Sequence, residues 1–153
     1  MVLTGFQSNT GLKLSETLPI LRDIRPLNRE LAMSVEANVI IDESILDSYR
    51  VLQEDGEPDV VTEFIDVFLE DLPTRIERIQ NAVASKAPAE IKSAAHALKG
   101  SSASVGAILV SGLCAQLEAI GRAGSAEGTV DLLRVIEPEI ARAREELQKL
   151  RKS

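Results

Sequence analysis

From residue 42 onward, apolar residues return every three or four positions, and the stretches between them are short and rich in glycine, proline and charge. Asp42 is a plausible N-cap, followed by Ile45, Leu46, Tyr49 and Leu52 at helical spacing and by Gly56 as a stop. Pro58 then suits a first helical turn. The next stripe, Val61, Phe64, Ile65, Phe68, Leu72, Ile76, Ile79 and Val83, keeps its phase across Pro73, which predicts one long kinked helix rather than two. Pro88 marks another first turn, with Ile91, Ala95, Leu98, Ser102 and Val105 inward and Gly106 as the stop. A fourth stripe holds Leu109, Leu113, Leu117 and Ile120 and ends at Gly121 and Gly124. The last runs from about Ser125 to Arg151 through Val130, Leu133, Ile136, Ile140, Ala143, Leu147 and Leu150, again unbroken across Pro138.

No stretch alternates with a period of two, so no strand is predicted. Long amphipathic helices with short connections imply antiparallel neighbours, and the expected fold is an all-α, antiparallel four-helix bundle over residues 41–153. Residues 1–40 read differently. The first fourteen are polar and contain glycine, and a weak helical pattern from Ser15 to about Asn38 is interrupted by Pro19 and Pro26. They are expected to form an extension that adds one or two short helices at most.

Composition narrows the function classes. Hydrophobic residues make up 44% of the chain but aromatics only 3%, which favours packed aliphatic helices over a β-sandwich. The net charge of −7 argues against nucleic acid or an anionic membrane as the general partner, because both require a basic surface. No apolar run reaches the length of a membrane span, and the start, "MVLTGFQSNTG", lacks the basic end and apolar stretch of a signal peptide. Cys114, the single cysteine, has no partner for an internal disulfide, so a reducing cytoplasm is the default expectation.

The chemistry concentrates at the only histidine, His96. On a helical wheel it points roughly 160° away from Leu98, the centre of the inward stripe. A surface histidine with no task is the ordinary reading of such a position, but the company is unusual. Ala89, Ser93, Gly100 and Ala103 share its face, with Ala97 and Ser104 alongside, where a solvated face would carry long charged side chains. Gly100 costs about 1 kcal/mol of helix propensity relative to alanine. The small residues leave the imidazole open to another macromolecule, and Lys92 and Lys99 place ammonium groups beside it. No nucleophile or orienting carboxylate is arranged with it in sequence for general-base work, and one histidine with one distant cysteine gives little support for zinc. A nucleophilic role remains: about three quarters of an unperturbed imidazole is neutral at pH 7, with a ring nitrogen free to attack. A phosphoryl group taken up there would bring about two negative charges, which lysines and hydroxyls would stabilise.

The stretch "AHALKGSSASVGA", Ala95 to Ala107, resembles the signature of histidine-containing phosphotransfer (HPt) domains, H-x-L-K-G-S-S-x-x-x-G-A. The following "LCAQLEAIGRAG" is similar to that family's next helix, and the resemblance extends from about Ile41 to Leu150, including "FLEDLP". It implies a four-helix bundle whose exposed histidine, here His96, accepts phosphate from an aspartyl phosphate on a receiver domain and passes it to another. Lys99 would steady the phosphoryl charge, Gly100 would clear the receiver's approach, and Ser101, predicted to point inward, would support the site by hydrogen bonding. Ala89, Lys92, Ser93, Ala103, Glu118 and Arg122 would line the partner face, Glu118 and Arg122 pointing outward on the wheel. Glu118 falls where some members carry a glutamine that touches the imidazole. The implied partners are receiver domains of response regulators or hybrid histidine kinases. No intrinsic cofactor is expected, since the divalent metal belongs to the receiver, and the chain would be a monomeric carrier rather than a self-standing enzyme.

Three alternatives compete with this reading. A histidine kinase dimerisation domain would need an ATP-binding domain for which the chain has no length. "GSSASVG" is superficially a phosphate-binding loop, but it lacks the G-K-[ST] ending and lies in a helix pattern. A helical adaptor that binds a partner through the same face and is never phosphorylated stays open.

Overall fold

The computed structural model describes residues 39–152, and they are helical with no strand among them. The expectation for residues 1–38 lies outside the described residues.

Five helices follow in order. Helix α1, Glu43–Tyr49, is capped by Asp42, whose carboxylate accepts from the Ser44 amide at 3.1 Å. It tightens into a 3-10 turn at Arg50–Leu52. Helix α2, Val60–Ala84, starts on the Asp59 cap, which accepts from the Thr62 amide at 2.9 Å, and runs through Pro73 without a break. Helix α3 is Pro88–Ser104 with proline in its first turn, α4 is Ile108–Arg122, and α5 is Thr129–Leu150, running through Pro138. In space α2 packs on α3, α3 on α4, α4 on α5 and α5 on α2, so the four long helices close a bundle. The amide of Lys152, just past α5, donates to Thr62 Oγ1 near the start of α2 at 3.0 Å, which sets those two helices antiparallel. The core is aliphatic: Leu46, Ile65, Leu72, Ile79, Ile91, Leu98, Leu113, Leu117, Ile136 and Leu147 are fully buried.

Several expectations need correction at element ends. Leu52 is 68% exposed, because α1 stops at Tyr49 and the tighter 3-10 turn that carries Leu52 is out of α-helical phase. Pro58 lies just outside α2, ahead of its cap, rather than in its first turn. Phe64 stands at the margin of the α2 stripe, half-covered by Tyr49 with ring centroids 4.4 Å apart. The last helix begins at Thr129, after Gly128 in a left-handed conformation (φ 79°), not near Ser125. Its buried stripe is therefore Thr129, Leu132, Ile136, Glu139, Ile140, Ala143 and Leu147, and Val130 is exposed.

Gly121 is the most consequential correction. It does not stop a helix; it lies inside α4 and is buried. A Cβ built there would stand 2.6 Å from both the Lys92 amide nitrogen and the Pro88 carbonyl oxygen of α3. Glycine is required because the two backbones touch. The actual stop is Gly124, at φ 76°.

Candidate functional site

The α3–α4 contact builds the site. With Gly121 seated against Lys92 and Pro88, one turn back along α4 places Glu118 opposite the next turn of α3, which carries His96. Farther along the same seam, Ser111 Oγ on α4 donates to the Lys99 carbonyl at 3.0 Å and holds the register.

His96 points outward as the wheel predicts, with its side chain 69% exposed. Glu118 does not point into solvent. Its side chain is only 4% exposed, covered by the side chains it binds. Glu118 Oε1 lies 3.0 Å from His96 Nδ1 and accepts from Arg122 Nη2 at 2.7 Å, while Oε2 accepts from the Lys99 ammonium. The wheel erred because it measures direction against one helix's own apolar stripe; the neighbouring helix covers that direction.

Burial alone would push the Glu118 carboxyl upward. Hydrogen bonds from Lys99 and His96, with the nearby charges of Lys99 and Arg122, outweigh burial and hold it below the usual glutamate value. Glu118 is therefore ionised at neutral pH, and an ionised carboxylate only accepts hydrogen bonds. The shared proton then belongs to His96, whose Nδ1–H donates to Oε1. In a neutral ring this leaves Nε2 as the nitrogen with a free lone pair, on the exposed side.

The rest of the predicted face is assembled around this pair. Ala89, Lys92, Ser93 and Gly100 are exposed, and Ala103 is half-buried. Nothing lies within 4 Å of the position a Gly100 Cβ would take, so this glycine is open where Gly121 is tight. Ser93 Oγ accepts from Arg78 Nη2 of α2 at 2.7 Å, which ties the start of the face to a second helix. At its far end Ser104 Oγ donates to the Gly100 carbonyl at 2.9 Å, and the Tyr49 hydroxyl donates to the Ser104 carbonyl at 2.9 Å. Ser101 is half-buried, and its hydroxyl donates to the Leu98 carbonyl of its own helix at 3.2 Å.

Sequence reasoning left three features out: the backbone contact at Gly121, the Ser111 bond and the Arg78–Ser93 bond. Only the spacing of Glu118 and Arg122, one helical turn apart, offered a signal for the buried cluster. Cys114 is buried beside it, and burial pushes its thiol up to about 12, so it stays neutral and unreactive. Among the described residues no group of three or more His, Cys, Asp or Glu side chains could hold a metal ion, and no helix is long and apolar enough to cross a membrane.

The geometry is that of an open imidazole on a rigid helical pair, and related proteins share both its sequence and its fold. The family model for the Hpt domain matches residues 63–152. Histidine-containing phosphotransfer protein 2 of Arabidopsis thaliana is 30% identical over 123 residues, covering 78% of each chain. Histidine-containing phosphotransfer protein B of Pseudomonas aeruginosa superposes with a TM-score of 0.65 at 26% identity, covering 72% of this chain and 93% of its own. A histidine-containing phosphotransfer protein of Medicago truncatula gives 0.64 at 26% identity, covering 88% and 90%. With the motif around His96, the helical bundle and these relatives in agreement, the chain belongs to the Hpt domain family, with a phosphotransfer role in two-component signalling.

Proposed function

We propose that the chain is a phosphorelay intermediate: His96 accepts a phosphoryl group from the aspartyl phosphate of one receiver domain and passes it to another. The observation that carries this reading is the exposed His96 ring with Nδ1 held by buried Glu118, which leaves Nε2 for in-line attack. The chain then acts as a carrier and not as a self-standing enzyme. It supplies a positioned nucleophile, while the receiver supplies the aspartate and the divalent metal. Lys99, already within reach of the same carboxylate, steadies the incoming phosphoryl charge. Ala89, Lys92, Ser93, Gly100, Ala103 and Arg122 form the face on which a receiver of a response regulator or hybrid histidine kinase docks.

His96→Gln tests the reading directly. Incubated with a phosphorylated receiver domain, the wild type is expected to take up label that is acid-labile and alkali-stable, and the variant none. Uptake by H96Q overturns the assignment. If no receiver labels the wild type, the surface serves an adaptor instead.

A further inference from the structure

We propose that residues 20–35 of this chain dock as an amphipathic helix in the groove between α2 and α5, on the side of the bundle opposite the α3–α4 seam. Leu69, Leu72 and Ile76 of α2 and Ile140 of α5 floor about 610 Å³ there. That is room for about twenty waters over an aliphatic surface, and covering it would release them. One end is bridged, where Gln80 donates to Glu137 at 2.7 Å. The other end, at Leu69 and Gln148, opens toward the end of the bundle where the Lys152 amide meets Thr62. Exposed Glu77 stands on the α2 wall and exposed Arg144 on the α5 wall, and among the described residues neither has an ion-pair partner.

The described chain begins at that open end. The Asp42 amide donates to the Gly106 carbonyl, just past α3, at 2.8 Å, and Tyr49 stacks on Phe64 near the start of α2. Ahead of it, Ile20, Ile24, Leu27, Leu31 and Val35 recur at steps of three and four. Their phase continues across Pro26, as the phases of α2 and α5 do across Pro73 and Pro138. As a helix the stripe is about 22 Å long, against about 16 Å of groove between Leu69 and Gln80. The five residues Glu36 to Ile40 reach about 17 Å, enough to round a bundle end whose neighbouring axes lie about 8–10 Å apart.

This tether fixes the direction: Val35 lies at the open end, Ile20 toward Gln80, and the helix runs antiparallel to α2. On a wheel Arg25 stands roughly 120° to one side of the stripe and Glu30 roughly 100° to the other. Arg78 of α2 reaches Ser93 of α3 while Leu69 and Ile76 face α5, which sets the order of the helices around the bundle. With that order and direction, a right-handed helix turns Arg25 to the α2 wall and Glu30 to the α5 wall. With Val35 level with Leu69, Arg25 comes about 15 Å and Glu30 about 8 Å along the groove, where Glu77 stands at about 12 Å and Arg144 at about 6 Å. Opposite charges meet on both walls; the reverse direction would set like charges together. The segment then adds apolar burial to the bundle and leaves the face around His96 open.

The experiment compares the full chain with its double variant Leu27→Asp, Leu31→Asp. Amides between residues 24 and 35 are expected to be protected from hydrogen exchange in the wild type and unprotected in the variant. The melting temperature should fall by about 5 °C or more, with phosphoryl uptake at His96 unchanged. Unprotected wild-type amides or equal melting temperatures overturn the proposal. Faster uptake by the variant also overturns it, because the segment would then cover His96. Disulfide trapping gives the location: Leu31→Cys is expected to cross-link to Pro73→Cys within one chain, while buried, neutral Cys114 stays out of the reaction. A cross-link from Leu31→Cys to Gly100→Cys, or a disulfide-linked dimer that makes a second copy the occupant, overturns it. Exchange and trapping read no phosphate, so the proposal stands or falls apart from the carrier reading.

Discussion

Where α3 meets α4, a buried glycine lets one backbone rest on the other, and a carboxylate one turn away is closed over by three basic side chains. Where α2 meets α5, the helices stand apart over a groove of about 610 Å³, floored by Leu69, Leu72, Ile76 and Ile140 and bridged at its rim by Gln80 donating to Glu137 at 2.7 Å. One seam is set by backbone contact and polar geometry, the other by aliphatic side chains that tolerate space between them. Placing an imidazole nitrogen to within a fraction of an ångström requires the first kind of seam, because backbone contact leaves no rotamer freedom to absorb error. The second kind supplies the hydrophobic burial that keeps the first in place.

Gly121→Val is expected to strike both properties at once. Its side chain meets α3 backbone that cannot rotate aside, so stability should fall by about 3 kcal/mol. Phosphoryl uptake should fall further than unfolding explains, because Glu118 moves away from His96; normal uptake in the folded fraction would break the link between seam and site. Leu72→Ala in the other seam should cost about 2–4 kcal/mol by widening the groove while leaving uptake intact below the melting temperature. Denaturant melts alongside labelling separate the two cases.

Gly100 sharpens the contrast from inside the site. A Cβ there meets nothing, so Gly100→Ala should raise stability by up to about 1 kcal/mol, the opposite sign to any side chain at Gly121. Gly100→Gln should fold normally yet impair transfer from a receiver by obstructing the approach; lost stability with normal transfer would contradict this. The smallest effect concerns pH. Because the fold holds Glu118 below the usual glutamate value, its stabilisation is fully present above the ordinary glutamate range and is lost as pH falls through the lower value. The difference in melting temperature between wild type and E118Q should therefore shrink on acidification. A gap that persists in acid would assign the stability to shape rather than charge.

Much of this was legible along the chain. The stripes around Pro73 and Pro138 announced two long helices because apolar phase, not the presence of proline, reports which face is buried. His96 and Gly100 were legible for the same reason: both lie opposite Leu98, and that face is indeed exposed. The ends were harder. Leu52 and Val130 follow the apolar rule in type but sit at the end of a 3-10 turn and in the first turn of a helix that starts after a left-handed glycine, where the phase resets. Gly121 and Glu118 were misread together, one as a stop and one as outward, since both judgements concern what lies across from a helix.

Local periodicity thus determined that this chain is an all-helical bundle and which side of α3 carries an open imidazole, because burial of an amphipathic face is a property of each helix alone. Tertiary structure decided that Glu118 turns from a surface acid into the clamp on His96 Nδ1. That outcome depends on the distance and register between two helices. At Gly121 it is the missing side chain, visible in the sequence only as a glycine, that allows the approach.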